Sequence, residues 1–355
     1  MKTRQLSPKT KENISIYGLV ILAYLVVQGL IMAGQMSSLM KGLLVPLCVY
    51  VILAVSLNLT VGILGELSLG HAGFMCVGAF ASAFFSKCMQ EVITVSLVRF
   101  ILAILIGALT AAVFGIIIGI PVLRLKGDYL AIVTLAFGEI IKNLVNVIFI
   151  GRDSAGFHFS MKDSMSLGLE ADGKVIMNGP QGITGTPNDS TFTIGIILVI
   201  LSLIIILNLI NSRTGRAVMA IRDNRIAAES IGIDITKYKL LAFSVSASLA
   251  GVAGALYAHN LSTLTATPKN FGYTRSIMIL VFVVLGGIGS IRGSIIAAVI
   301  LTLLPELLRG LQDYRMLIYA IVLIVMMLFN WSPRAVEFKE RYMAKLLKRR
   351  KKEAS

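Results

Sequence analysis

The chain has 355 residues, of which 56% are hydrophobic and 14% charged, with a formal net charge of +15 and a mean hydropathy of +0.85. Globular chains carry about 25% charged residues, so this composition excludes an ordinary soluble domain. It also excludes a soluble nucleic-acid binder, because the basic residues collect in a few loops and the tail.

In chain order, about ten apolar segments approach the length needed to cross a bilayer, which is about 20 helical residues. Spans are expected at 14–34, 42–62, 71–86, 97–120, 129–150, 191–211, 240–259, 276–290, 294–309 and 316–331. Phe100 to Ile120 is the clearest, with 21 uncharged residues. The first segment is longer than a signal-peptide core and lacks an A-x-A site, so it reads as a retained span. The expected fold is an all-α polytopic membrane protein. Its parts are an N-terminal tail 1–13, a transmembrane domain 14–331 and a basic C-terminal tail 332–355. Cys48, Cys76 and Cys88 lie in or beside apolar segments and imply no disulfide framework.

Charge sets the expected orientation. The N-terminal tail, the segment 212–239 and the C-terminal tail are rich in Lys and Arg. The loop 152–190 holds Arg152, Lys162 and Lys174 against Asp153, Asp163, Glu170, Asp172 and Asp189. The positive-inside rule places both termini and 212–239 in the cytoplasm and 152–190 outside. Five spans then lie on each side of the external loop.

The two halves repeat loosely. A glycine-rich break runs from Gly62 through Gly65, Ser68 and Gly70 to His71, and a second holds Gly286, Gly287, Gly289 and Gly293. Paired interrupted helices point to transporters built from structural repeats. Gly115-x-x-x-Gly119 reads as close helix packing.

The segment 212–239 is the longest cytoplasmic loop. Val218, Ile221, Ala228 and Ile231 recur near helical spacing among Arg222, Arg225 and Glu229, and Gly232 is a plausible stop. A short amphipathic helix parallel to the membrane fits. It would dock a cytoplasmic partner or rest on anionic headgroups, and periodicity alone leaves both open. Inside the spans, Glu139 and Lys142 share a helix face and read as a structural pair, as do Glu306 and Arg309. Glu66 and His71 flank the first break, either gating it or holding it. His158 and His259 are scattered, so no metal site and no catalytic residues are expected.

Five motifs now occur in order between about residues 50 and 330, and together they resemble one family. Gly215-Arg216-Ala217-Val218-Met219-Ala220-Ile221-Arg222-Asp223-Asn224, with Ala227-Ala228-Glu229-Ser230-Ile231-Gly232, resembles the coupling loop of branched-chain amino acid ABC transporter permeases of the LivM-type subunit. Leu67-Ser68-Leu69-Gly70-His71, Lys126 to Leu135 with Phe137-Gly138-Glu139, Gly182-Ile183-Thr184-Gly185 and Gly286-Gly287-Ile288-Gly289 are the others. The resemblance implies a bacterial inner-membrane, multi-pass permease. It would be paired with a second homologous permease subunit, two cytoplasmic ATPase subunits and an extracytoplasmic substrate-binding protein, in membrane lipid and without nucleic acid.

The resemblance assigns ATPase coupling to Ile221, Arg222, Asp223, Asn224, Ala227, Ala228, Glu229, Ile231 and Gly232. Gly62, Gly65, Ser68, Gly70, His71, Thr134, Glu139, Gly286, Gly287 and Gly289 become candidates for the pathway or gate, and Gly182, Thr184 and Gly185 for binding-protein docking. No G-x-x-x-x-G-K-[ST] phosphate loop occurs, so ATP is expected to be used by partner subunits, with no cofactor and no enzyme activity in this chain. A urea or amide permease is the near alternative. An ion- or proton-coupled secondary transporter would favour midspan acidic residues, of which there are few, and a membrane enzyme would need clustered His, Asp or Ser.

Overall fold

The structure, a computed structural model, describes residues 8–308 except 126, 155, 171 and 172, together with eight separate positions between 314 and 328. The expected span 316–331 and the tails 1–7 and 332–355 lie largely or wholly outside the described residues.

The chain is mostly helical. The helix α1 (Pro8–Met32) leads to α2 (Ser38–Asn58), which runs directly into a π-helical turn, Leu59–Leu64. After an irregular stretch come α3 (His71–Cys88), α4 (Ser96–Val122) and α5 (Asp128–Val147). The strands β1 (Phe149–Arg152), β2 (Phe157–Ser160), β3 (Lys174–Asn178) and β4 (Ile183–Thr184) follow, then α6 (Phe192–Asn211). The short helices α7 (Arg213–Asp223) and α8 (Arg225–Ser230) precede α9 (Ile235–Ala258) and β5 (Thr263–Leu264). Last come α10 (Pro268–Phe271), α11 (Tyr273–Gly286) and α12 (Ile291–Leu307). Among the described residues six helices are long and apolar enough to cross a membrane: α1, α2 with its π turn, α4, α5, α6 and α9.

The all-α expectation needs one correction. The segment 152–190 contributes to two small sheets, one of order β2-β1-β3 that begins at Phe149 and one pairing β4 with the distant β5. The span placed at 129–150 therefore ends early, because Phe149 already pairs with Ser160 and Asn178 in the sheet. Within this loop Leu167, Ile176, Met177 and Ile183 are buried.

The packing centre is formed by α2, α3, α4 and α9. Of the apolar window in α2, 89% is buried, against 11% in α1, so α2 is an inner helix and α1 an outer one. Small residues let α3, α4 and α9 approach closely; a Cβ on Gly78 would lie 2.3 Å from Gly251 Cα, and one on Gly115 would lie 2.7 Å from Ala247 Cβ. In hydrocarbon, close van der Waals packing replaces the hydrophobic drive that lipid cannot supply.

Candidate functional site

The two glycine breaks meet in space. At the end of α2, Asn58 is fully buried; its amide donates to Ser294 Oγ at 2.9 Å, and its carbonyl oxygen accepts from Gly289 N at 2.9 Å. One side chain thus holds the first break against the second. The approach is close enough that a Cβ on Gly62 would sit 2.4 Å from Gly289 N.

Buried hydroxyls complete the junction. Thr60 donates to Ser246 Oγ at 2.8 Å, Ser246 donates to Ser56 O at 2.6 Å, and Ser56 Oγ meets His71 Nε2 at 2.7 Å. Thr134 of α5 accepts from Leu69 N at 3.0 Å, and Gly70 packs against the Thr134 carbonyl. The structure therefore brings Gly62, Gly65, Ser68, Gly70, His71, Thr134, Gly286, Gly287 and Gly289 into one region. Ser68 is buried, and its hydroxyl has no hydrogen-bond partner among the described residues.

The segment 212–239 clasps this junction. Its elements are punctuated by capping side chains: Ser212 accepts from Gly215 N at 3.1 Å, Asn224 from Ala227 N at 3.0 Å and Asp234 from Lys237 N at 3.0 Å. Each satisfies a backbone donor that a helix start leaves open. The Arg222 guanidinium at the end of α7 donates to Gly62 O at 2.9 Å, and its stem covers Gly65, whose φ is +79°. At the start of α9, Lys239 pairs with Glu66, and both side chains are largely buried. Glu66 thus holds the break rather than standing free beside it.

The single amphipathic helix expected in this segment is instead two, divided at Asn224, whose φ of −154° and ψ of 103° are extended. Val218, Ile221 and Ala228 do fall on one apolar stripe, but it is buried within this chain and is not the outward docking face expected from the sequence: Ala228 packs against Ile221 and Ile235. Ile231 is not on that stripe. It is 76% exposed and Ile226 is 81% exposed, so an outward apolar face is formed by those two residues beside exposed Glu229.

Glu139 pairs with Lys142 as the sequence suggests, and its other oxygen accepts from Tyr273 N at 2.7 Å. The carboxylate thus caps the first residue of α11, a helix of 14 residues. Next to it Arg275 bonds the Tyr50 hydroxyl and lies 5.1 Å from the centre of that ring. Sequence reasoning missed Arg275 because it drew the span from residue 276; a cation one residue outside a span boundary was the available signal. Glu306 is described, while Arg309, its expected partner, lies outside the described residues.

At the opposite end, β4 pairs with β5 and Gly185 N donates to Ser262 O at 2.8 Å. Gly182 is locked against Leu264, while Thr184 and Gly185 remain exposed. Nearby Lys174 bonds Glu91 at 3.0 Å, and this contact holds the Glu91 carboxyl below the usual carboxylate range. On β2 the exposed Phe157 and Phe159 share a face, followed by exposed Met161 and Met165. The docking residues read from sequence did not include this patch.

The sequence profile of the family described as branched-chain amino acid transport system, permease component, matches residues 39–329. The chain is 36% identical over 298 residues to the high-affinity branched-chain amino acid transport system permease protein LivM of Salmonella typhimurium, covering 81% of this chain and 67% of that protein. The protein of the same name in Escherichia coli is similar to the same extent. The probable branched-chain amino acid transport permease protein LivM of Methanocaldococcus jannaschii is 24% identical over 69% of this chain and 74% of its own. No solved structure is significantly similar.

Proposed function

The chain belongs to the branched-chain amino acid transport permease family, and we propose that it is one of two homologous permease subunits of an ATP-driven importer of leucine, isoleucine and valine. Transport permease is the family's role. The amino-acid specificity follows the names of the relatives, and the substrate would be delivered by an extracytoplasmic binding protein. Two ATPase subunits on the cytoplasmic side would use the ATP, and this chain would carry no cofactor and no catalytic residue.

In this reading both termini and the α7–α8 end face the bacterial cytoplasm, and the small sheets face outward. The long helices, the interrupted ones α3, α11 and α12 and the segment near 316–331 make about ten crossings in two five-span halves. The observation that carries the mechanism is the double attachment of 212–239 to the first break, through Arg222 to Gly62 O and Lys239 to Glu66. An ATPase that pulls on α8 moves α7, which is tied to the π turn, and the start of α9, which is tied to Glu66 just beyond it. Asn58 passes that movement to the second break. ATP-driven motion and pathway opening become one mechanical event.

The test uses the exposed face. Glu229→Arg and Ile226→Asp alter residues outside the spans and should leave the permease folded. They should release the ATPases during purification or uncouple hydrolysis from uptake. If α8 merely rests on anionic headgroups, Glu229→Arg binds them at least as well. Normal uptake and normal ATPase co-purification in that variant would falsify the coupling role.

A further inference from the structure

The buried cations Lys142, Lys239 and Arg99 each hold a carboxylate, from Glu139, Glu66 and Asp189 in turn. Arg275 of α11 has none among the described residues. Its guanidinium bonds the Tyr50 hydroxyl and lies 5.1 Å from the centre of that ring. A guanidinium carries five N–H donors, and this contact uses one. The unused donors are accessible rather than buried. Tyr50 stands near the middle of the 27-residue apolar span Ser38–Leu64, so the guanidinium that reaches it lies near mid-membrane. A cation at that depth is costly against lipid, and such residues turn toward protein or a water-filled path.

Aromatic rings border this cation. Phe282 meets Tyr50 edge-on with ring centres 5.8 Å apart. On α9, Tyr257 lies near enough for the Arg275 charge to act on its hydroxyl, and it packs edge-on against Phe271 at 5.8 Å. Phe271 and Phe282 are buried, whereas Tyr50, Tyr257 and Arg275 are half-buried. The two tyrosines and the cation are therefore the members of the group that reach accessible space. One forked cation beside aromatic rings matches a compact ligand with a carboxylate at one end and apolar groups at the other. An inorganic anion would leave the rings unused, and an apolar solute would leave the guanidinium unused.

We propose that Arg275 binds the carboxylate of the amino acid passing through the permease, with Tyr50 and Tyr257 against its aliphatic side chain. The ligand's identity rests on the importer reading above, whereas the preference for a carboxylate rests on Arg275 itself. The placement suits a transported ligand. Arg275 bridges α11 to α2, and these helices end at Gly286 and Asn58, in the two breaks that the clasp joins. Movement of the breaks therefore reaches both helices that hold the ligand. The guanidinium fork grips one carboxylate through two parallel N–H bonds, a geometry that a lysine ammonium does not reproduce.

Thiol labelling of the reconstituted transporter tests the site without reference to transport. Thr274→Cys and Met278→Cys place thiols on exposed positions beside Arg275, and the native cysteines are buried. An anionic sulfonatoethyl methanethiosulfonate should react faster there than its cationic trimethylammonium analogue. Adding Arg275→Gln should lower that preference about tenfold, the effect of one charge at close range. No reaction at either thiol, or a preference unchanged by Arg275→Gln, would overturn the site. A preference present in the isolated chain and lost in the assembled complex would give Arg275 to a carboxylate of the second permease subunit, and would overturn it too. Uptake supplies the second arm. Arg275→Gln should cut leucine uptake at least tenfold while loaded binding protein still stimulates hydrolysis, and Arg275→Lys should recover part. Tyr50→Phe keeps the ring and should keep most uptake; a loss equal to that of Arg275→Gln would make Arg275 only an anchor for α2. A wild-type complex that takes up no branched-chain amino acid would refute the importer reading, and the labelling preference would still decide the site.

Discussion

Gly70 and Gly287 read alike in the sequence, as small residues in two breaks, but the structure gives them different work. A Cβ on Gly70 would lie 2.2 Å from the Thr134 carbonyl oxygen, so a side chain there forces two backbones apart. At Gly287 the nearest atom is Ser290 Cβ at 3.7 Å, yet φ is +93°. There the difficulty is conformational, since L side chains avoid that backbone. Gly287→Ala should therefore cost about 1–3 kcal/mol of stability while the breaks remain in contact. Gly70→Ala should cost at least as much by overpacking, about 1–3 kcal/mol or more, and also displace α3 from α5. Thermal unfolding together with uptake checks the contrast: Gly287→Ala should lose stability and keep partial transport, and Gly70→Ala should lose transport. Full uptake by Gly70→Ala would show that the contact with α5 is dispensable.

At the scale of elements, the buried pair Lys239–Glu66 joins α9 to the stretch after the π turn. Removing one partner of a buried pair strands the other charge, at a cost of about 3–5 kcal/mol. Lys239→Met should lower the unfolding temperature sharply, and adding Glu66→Gln should restore much of it, because no uncompensated charge then remains. Uptake should stay low in the double variant, since the attachment is gone although the charge is balanced. Recovery of uptake along with stability would make the pair a packing device only.

The elements also show what could be read in advance. The long spans, the two breaks and the Glu139–Lys142 pair were legible because apolar length, glycine runs and i,i+3 spacing are local signals. The division at Asn224 was not. Ile221 and Ala228 are seven apart, a spacing that one continuous helix satisfies as well as two helices folded about a capping residue. The strands of 152–190 escaped because each has at most five residues, between glycines. No local signal could show Arg222 reaching Gly62, since those residues are 160 positions apart.

For the whole molecule, the two ends carry different exposed apolar faces, Ile226 with Ile231 at one and Phe157, Phe159, Met161 and Met165 at the other. Exposed aromatic and Met side chains in a group suit a protein interface. If the sheet end receives the binding protein and the α8 end the ATPases, damage at each should stop transport at a different step. Ile226→Asp should give a permease that purifies without its ATPases. Phe159→Asp should retain them, with basal hydrolysis unchanged, and lose the stimulation that loaded binding protein produces. Phe159 is exposed on an edge strand, so the fold should tolerate the change. Reconstituted complexes with and without binding protein separate the two cases. Stimulation that persists in Phe159→Asp would remove the β2 face from the interface and leave exposed Thr184 and Gly185, beside β5, as the place where the binding protein meets this chain.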